Sequence, residues 1–445
     1  MLVTWLGHAQ LFINTGSDDA PGRTLLVDPW FFEPVFGGAW FRYPPPPYPD
    51  SSTLPRPDFV ILSHIHPDHS GPRTLERLSA DSTVLAMPFA SGALKRRLDK
   101  SHLRKVDWLQ PWETREIAPG VKLTFVPHDR GWEVSSVVIE ADGVRLYHGN
   151  DNVLSPGAYR SIVERLGKID LAFLPFAGAS SYPTGFDGTR ETMLERCAKK
   201  KAEGIQRFVE GIEGLQPAEA APFASSWALL EQSELWKNFI DRPTPDEALK
   251  AAMEPAMRAG THLLRMEPGD QWSPDTGAIA KGLTEGWGYD AKSVERYAMQ
   301  EAARVSRAIS AARVPGKPVS KETLDAAFRE YFAELIGKTR EGTAQLAMKA
   351  GFEAEGAGAW RITFVPGQAP VLEAGLQGDE DEVLTLPPGE LWAILAAPAN
   401  WEDVWYGYRL RVRKRAGAGY YRAFWEMLLN FDDEVLSERI AKKYG

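Results

Sequence analysis

Leu62-Ser63-His64-Ile65-His66-Pro67-Asp68-His69-Ser70-Gly71 places four candidate metal ligands of two chemical types within six residues. The apolar run Phe59-Val60-Ile61-Leu62 precedes them and Gly71-Pro72 follows. An extended segment puts residues two apart on the same side, so His64 and His66 are expected to face one ion as a strand ends. Asp68 and His69 are then expected in the turn before a helix over Thr74–Leu78, within reach of a second ion. Imidazoles and a carboxylate together suit Zn, Fe or Mn far better than Ca or Mg. A polar surface loop that happens to be rich in histidine is the bland alternative. The chain has eight histidines in all, and three crowd into this one stretch.

On either side of this stretch, the chain to about Ser181 reads mostly as short strands: Leu2–Leu6, Leu11–Asn14, Thr24–Val27, Phe59–Ser63, Thr83–Met87, Lys122–Val126, Ser135–Glu140 and Arg145–Tyr147. Each is rich in β-branched or aromatic residues and bounded by Gly, Pro, Asp or Asn. Helical patterns intervene at Thr74–Ala80, Ser91–Leu98 and Ala158–Leu166. Thr189 to Gly211 is a further helix, with Thr189 as N-cap and Glu191 in the first turn. Its Lys199-Lys200-Lys201 cluster reads as a solvated face rather than a binding patch.

Beyond Pro243 the pattern is helical, at Pro245–Ala259, Ser293–Ala312 and Ser320–Ile336, with Pro315-Gly316-Lys317-Pro318 as a breaker between the last two. From about Ala359 short strands return at Arg361–Val365, Val371–Gly375, Val383–Leu386 and Gly407–Arg413. Helices are expected from Pro388 and over Tyr420–Leu429. The aromatic residues of this part read as core rather than as a ligand pocket. The expected organisation is a catalytic domain over 1–242, a helical extension over 243–358 and a small α+β module over 359–445.

A chain of 445 residues, 44% apolar, can bury a large core and hold more than one domain. Its net charge of −9 gives no encouragement to nucleic-acid binding. The single cysteine, Cys197, excludes an internal disulfide framework and makes a reducing compartment, the cytoplasm, the simplest home. The N-terminus lacks a basic region followed by an apolar one, so no signal peptide is expected. No apolar run approaches the length of a membrane span.

The spacing H-x-H-x-D-H resembles the signature of the metallo-β-lactamase superfamily, and the likeness extends beyond it. Trp5-Leu6-Gly7-His8 and then Leu25-Leu26-Val27-Asp28-Pro29-Trp30 resemble the opening of that fold. His128, in FVPHD, and Asp151, in YHGNDN, lie where the family has its third histidine and its metal-bridging aspartate. The resemblance implies an α/β, four-layer αββα sandwich. Within the superfamily, three stretches are similar to CMP-N-acetylneuraminic acid hydroxylases. These are Asp28–Leu78, DLAFLPFAGASSYPTGF (Asp170–Phe186) and LQPAEAAPFASSW (Leu215–Trp227). Those hydroxylases carry a Rieske iron–sulfur domain ahead of this one. A Rieske centre needs two cysteines, so the electron-delivery module is expected to be absent here.

The resemblance implies that His64, His66 and His128 hold one metal, that Asp68 and His69 hold the second, and that Asp151 bridges them. Asp151 is displaced by one position, because Asn150 occupies the slot of the usual Gly-Asp pair. Asp28 is either an acceptor that orients a metal-bound imidazole or a cap for the Pro29–Phe31 turn. His8 and His148 are catalytic candidates. His8 is expected near the metals, touching substrate or bound oxygen; strand alternation puts His148 either at the site or in the core. His102 and His262 carry no motif. Ordinary dizinc members bring a last histidine to the second metal, but Pro222–Trp227, the matching place, has none. An open position on a redox metal suits oxygen activation. The aromatic run at Trp30-Phe31-Phe32 and Trp40-Phe41-Arg42-Tyr43 reads as a pocket wall or as loop packing.

Three functions compete. The first is a non-haem di-iron oxygenase that hydroxylates a small molecule, with O2 and an external electron donor as partners. The second is a metal-dependent hydrolase of an ester, lactone or phosphodiester. The third is a metal-binding protein without catalysis. The cofactors expected are two transition-metal ions, iron first, with zinc and manganese as alternatives.

Overall fold

The computed structural model describes residues 1–16, 22–313, 319–396, 399–429 and 434–444. The expected breaker at Pro315–Pro318 lies outside the described residues. Two compact units emerge. One consists of Met1–Val35, Trp40–Gly178 and Cys197–Ser306, the other of Phe36–Ala39, Ala179–Arg196 and Arg307–Gly445.

The first unit is built on two sheets. In one, Leu2–Gly7, Gln10–Asn14 and Thr24–Val27 pair antiparallel, and Phe59–Leu62, Thr83–Ala86 and Val106–Trp108 continue in parallel. In the other, Thr114–Ala118, Val121–Pro127, Ser135–Ala141 and Val144–His148 form a meander, extended in parallel by Leu171–Pro175 and Glu219–Phe223.

Strand alternation sorts the side chains into three apolar layers. Val3, Trp5, Val27, Ile61 and Leu85 meet Leu123, Phe125, Val137, Ile139 and Phe173 between the sheets. The alternate residues Leu26, Val60, Leu62 and Val84 face outward and are covered by Leu75, Leu94 and Leu98, which belong to Pro72–Leu75 and Ala93–Lys100. On the other sheet, Val126, Val138, Tyr147 and Leu174 pack under Ile162, Phe208, Ile212 and Ala252. These come from the helices Pro156–Leu166, Arg190–Leu215 and Pro245–Ala259. The result is the αββα sandwich. Each fully buried Val, Leu, Ile or Phe contributes roughly 1.5–3 kcal/mol, so both sheets are committed to these faces.

The segment after Pro243 is not purely helical. His262–Leu263 joins the second sheet, while Gln271–Ser273 and Gly277–Ile279 extend the first beyond Leu2–Gly7. Strands of two or three residues are too short to show a period of two in sequence.

The second unit holds a five-stranded sheet in the order Val371–Ala374, Gly358–Phe364, Met348–Ala354, Glu382–Leu386, Arg411–Lys414. Phe328, Phe332, Phe352, Trp360, Trp401 and Phe424 are buried together as its core. Among the described residues no helix is long and apolar enough to cross a membrane.

Candidate metal centre

The strand Phe59–Leu62 delivers its successors Ser63 and His64 into the interior, where His64 bridges to Val134. Pro67 then opens one helical turn, Pro67–Ser70, which carries Asp68 and His69. Proline suits a first helical position, because its missing N–H would have had no partner there. Ser70 Oγ donates to the His64 carbonyl at 2.8 Å and closes the loop on itself. Asp68 and His69 therefore sit on a helical turn of their own, one turn earlier than the helix expected from Thr74.

Two groups of donors result: His64, His66 and Asp151; and His8, Asp68 and His69. His64 Nε2 lies 2.7 Å from His66 Nδ1. Asp151 Oδ2 lies 3.7 Å from His64 Nε2, 3.9 Å from His66 Nδ1 and 3.7 Å from His69 Nε2. In the second group Asp68 Oδ2 is 2.9 Å from His8 Nε2 and 3.3 Å from His69 Nε2. Asp151 thus faces histidines of both groups. His8 Nε2, His69 Nε2, Asp68 Oδ1 and Asp151 Oδ1 are buried without a hydrogen-bond partner.

A chain of hydrogen bonds behind the donors sets their orientation. Asp28 Oδ2 stands 3.0 Å from His69 Nδ1 and accepts Ser63 Oγ–H at 2.7 Å; its Oδ1 accepts Ser63 N–H at 2.8 Å. With Ser63 Oγ giving its proton to Asp28, its lone pair faces His64 Nδ1 at 2.9 Å. His64 then carries its proton on Nδ1 and presents the Nε2 lone pair to the centre, while His69, its Nδ1 proton held by Asp28, would present Nε2 once a bound cation displaces the second proton. Of the two readings of Asp28, the orienting contact to His69 is the one its side chain makes.

Burial pushes the His64 imidazole down to about 3 and lowers His8 as well, so both rings are neutral at neutral pH. Burial alone would raise the carboxyls of Asp68 and Asp151. Neighbouring histidines, His69 for Asp68 and His64 with His69 for Asp151, outweigh it and hold both below the usual carboxylate range. Burial would lower His69, but Asp68, Asp151 and Asp28 raise it well above the ordinary histidine value.

Backbone strain marks the same place. His8, Asp28 and Asn150 adopt φ of +47°, +44° and +41°, a region that non-glycine residues enter at a cost. Asn150 suits it: its Oδ1 accepts the N–H of Asp151 at 2.6 Å and of Asn152 at 2.8 Å, which aims Asp151 inward.

Two expected residues stand outside both groups. The Nδ1 of His128 accepts Arg130 N–H at 2.9 Å, so the neutral ring carries its proton on Nε2 and offers no lone pair there. The ring nitrogen Nε2 of His148 is bound to the Ala9 carbonyl at 2.7 Å, and the ring packs on Phe223. It braces the turn that carries His8. Trp30, Phe31, Trp40, Phe41 and Tyr43 are buried, as packing rather than an open wall. Trp30 and Trp40 meet the His8 ring edge-on, with centroids at 5.3 and 6.2 Å. Trp227, in the stretch without a histidine, stacks on Trp40 at 3.9 Å.

Residues 23–199 match the family model described as the beta-lactamase superfamily domain. The match covers less than half of the chain, and together with the αββα sandwich it makes this part of the chain similar to metallo-β-lactamase-fold domains. The chain is similar to the cytidine monophosphate-N-acetylneuraminic acid hydroxylase of Xenopus laevis, 23% identical over 289 residues, which are 62% of this chain and 45% of that protein. It is also similar to a Mycolicibacterium smegmatis protein that carries the name Rieske 2Fe-2S iron-sulfur protein. That likeness is 27% identity over 223 residues, 46% of this chain and 39% of the other. The chain thus spans less than half the length of these relatives. Among solved structures, the diiron beta-hydroxylase CmlA of Streptomyces venezuelae matches with 18% identity and a TM-score of 0.39, over 63% of this chain and 54% of that one.

Proposed function

We propose that this chain is a dinuclear-metal enzyme, and that it works as a non-haem di-iron oxygenase hydroxylating a small molecule, with electrons from an external partner. The observation that carries the dinuclear reading is the convergence of the two donor groups on Asp151, with His8 Nε2, Asp68 Oδ1, His69 Nε2 and Asp151 Oδ1 buried and without a hydrogen-bond partner. Leaving a buried polar atom unsatisfied costs about 1–3 kcal/mol, and a cation in each group answers that cost. The donor set fits: imidazole nitrogens and carboxylate oxygens suit Fe, Zn and Mn. Asp151, which faces histidines of both groups, would hold both ions. Asp28 fixes His69, and Ser63 fixes His64, each by the proton on Nδ1. Bound iron would supply O2 activation. The buried tryptophans around His8 exclude water from that side. The motif order also proposes His128 as a ligand, which requires its ring to release Arg130 N–H.

Hydroxylation is favoured over hydrolysis because the similarity to the sialic acid hydroxylases runs over 289 residues, far beyond the metal motif. The test is direct. Protein loaded with two irons, reduced and exposed to air, is expected to consume O2 and change its visible spectrum, while the apo-protein does neither. Purified protein that holds only zinc, ignores O2 and hydrolyses a lactone or phosphodiester establishes the hydrolase instead.

A further inference from the structure

We infer that His8 is a protein ligand of the second metal ion, supplying from the first hairpin the imidazole that Pro222–Trp227 lacks. The inference rests on the dinuclear reading above. Two ligands bound at about 2.0–2.2 Å and separated by roughly 90–110° stand about 2.9–3.5 Å apart. The spacing of Asp68 Oδ2 from His8 Nε2, 2.9 Å, and from His69 Nε2, 3.3 Å, is of that size.

A histidine that merely fills core ordinarily hydrogen-bonds through at least one ring nitrogen, as His148 does through Nε2. Neither Nδ1 nor Nε2 of His8 has a hydrogen-bond partner, although the ring is 3% exposed. Its Nε2 stands 2.9 Å from Asp68 Oδ2 as an ion-pair contact, and these atoms and a His69 nitrogen all lie within 4.8 Å of one another, the spacing of donors around one ion. Asp68 Oδ1 and His69 Nε2 are unpartnered in the same group.

The backbone supports the same role. His8 and Ala9 form the turn between Leu2–Gly7 and Gln10–Asn14, and His8 holds φ of +47°. Glycine or asparagine is the ordinary occupant of such a position, so a histidine there spends strain to place its ring. The ring is also clamped. Trp30 and Trp40 meet it edge-on, and His148 holds the Ala9 carbonyl behind it. With His8 counted, each donor group holds two imidazoles and one carboxylate, with Asp151 of the first group also facing the second. The shortage of protein donors read from the missing last histidine then disappears from the second position.

Cobalt titration tests this. Wild-type chain is expected to bind two Co(II) ions. His8→Asn tolerates the left-handed backbone but ends short of the cluster. It is expected to keep one ion at wild-type affinity, bind the other at least tenfold more weakly, and lose part of the visible cobalt spectrum. A His8→Asn chain with two sites of unchanged affinity and spectrum overturns the ligand role of His8. A wild-type chain that takes up fewer than two ions overturns the dinuclear reading instead. Anomalous diffraction from cobalt-loaded wild-type crystals decides without any variant. A cobalt peak about 2.0–2.3 Å from His8 Nε2 is expected, and second-site cobalt out of bonding range of His8 sinks the inference.

Discussion

Asp28 does its work through two hydrogen-bonded partners, His69 and Ser63, and its carboxylate cannot be exchanged for an amide without disturbing both. Asp28→Asn keeps the size and the tolerance for left-handed backbone, so it isolates the loss of charge. Supporting residues of this kind typically contribute 10–100-fold in metal affinity, and that is the expected loss, measured by competition with a chromophoric chelator. His66→Ala removes a donor outright and is expected to lower metal content toward one ion per chain by elemental analysis. His128→Ala is expected to be milder, because its Nδ1 is engaged by Arg130 N–H; equal losses from both variants would restore His128 to the ligand set. At this scale the sequence was most readable where ligands are close neighbours. His64, His66, Asp68 and His69 need only a strand end and one turn to converge. His8 comes from the first hairpin and Asp151 from the loop between Val144–His148 and Pro156–Leu166, and what aims them is left-handed backbone at His8 and Asn150, which residue identity does not reveal. His148 was ambiguous because alternation alone leaves open which neighbour a buried ring will find; it found a carbonyl.

Elements with a clear period were legible, and those set by tertiary packing were not. Val60, Ile61 and Leu62 alternate between two apolar layers, and the strand follows from them. Met348–Ala354 is a central strand of the second unit, yet MKAGFEA reads as a run of helix formers. Its pairing with both Gly358–Phe364 and Glu382–Leu386 overrides that propensity. The helix Arg190–Leu215 offers a test in which propensity and packing point in opposite directions. Alanine in place of Gly204 should favour the isolated helix by about 1 kcal/mol. However, its Cβ would stand 2.6 Å from the Phe176 carbonyl oxygen. Gly204→Ala is therefore expected to destabilise the chain by roughly 1–3 kcal/mol, read as a lower midpoint in urea unfolding. A variant more stable than wild type would show that the helix has room to shift.

The whole chain is expected to yield to protease in a definite order. The Pro-Gly-Lys-Pro sequence at 315–318 points to first cuts between Ala312 and Ser320, ahead of the buried Phe328 and Phe332 and the central strand Met348–Ala354. The sandwich between Phe59 and Leu174 should survive as a large fragment on a gel. Early cuts inside that interval, with 312–320 intact, would contradict the proposed organisation. The strand and helix patterns and the family resemblance were a sound guide to the sandwich, and aromatic content to the core of the second unit, but none of them could show that strands at 262–279 return to the first unit's sheets. Trp40 and Trp227 lie face to face, 3.9 Å apart and within 2° of parallel, with Trp40 edge-on to His8. Indoles that close share their excitation, so the pair should give a near-ultraviolet circular-dichroism band that Trp227→Phe abolishes. An ion held by the neighbouring imidazole would perturb that band. The protein thus contains its own gauge of metal loading, with no added dye.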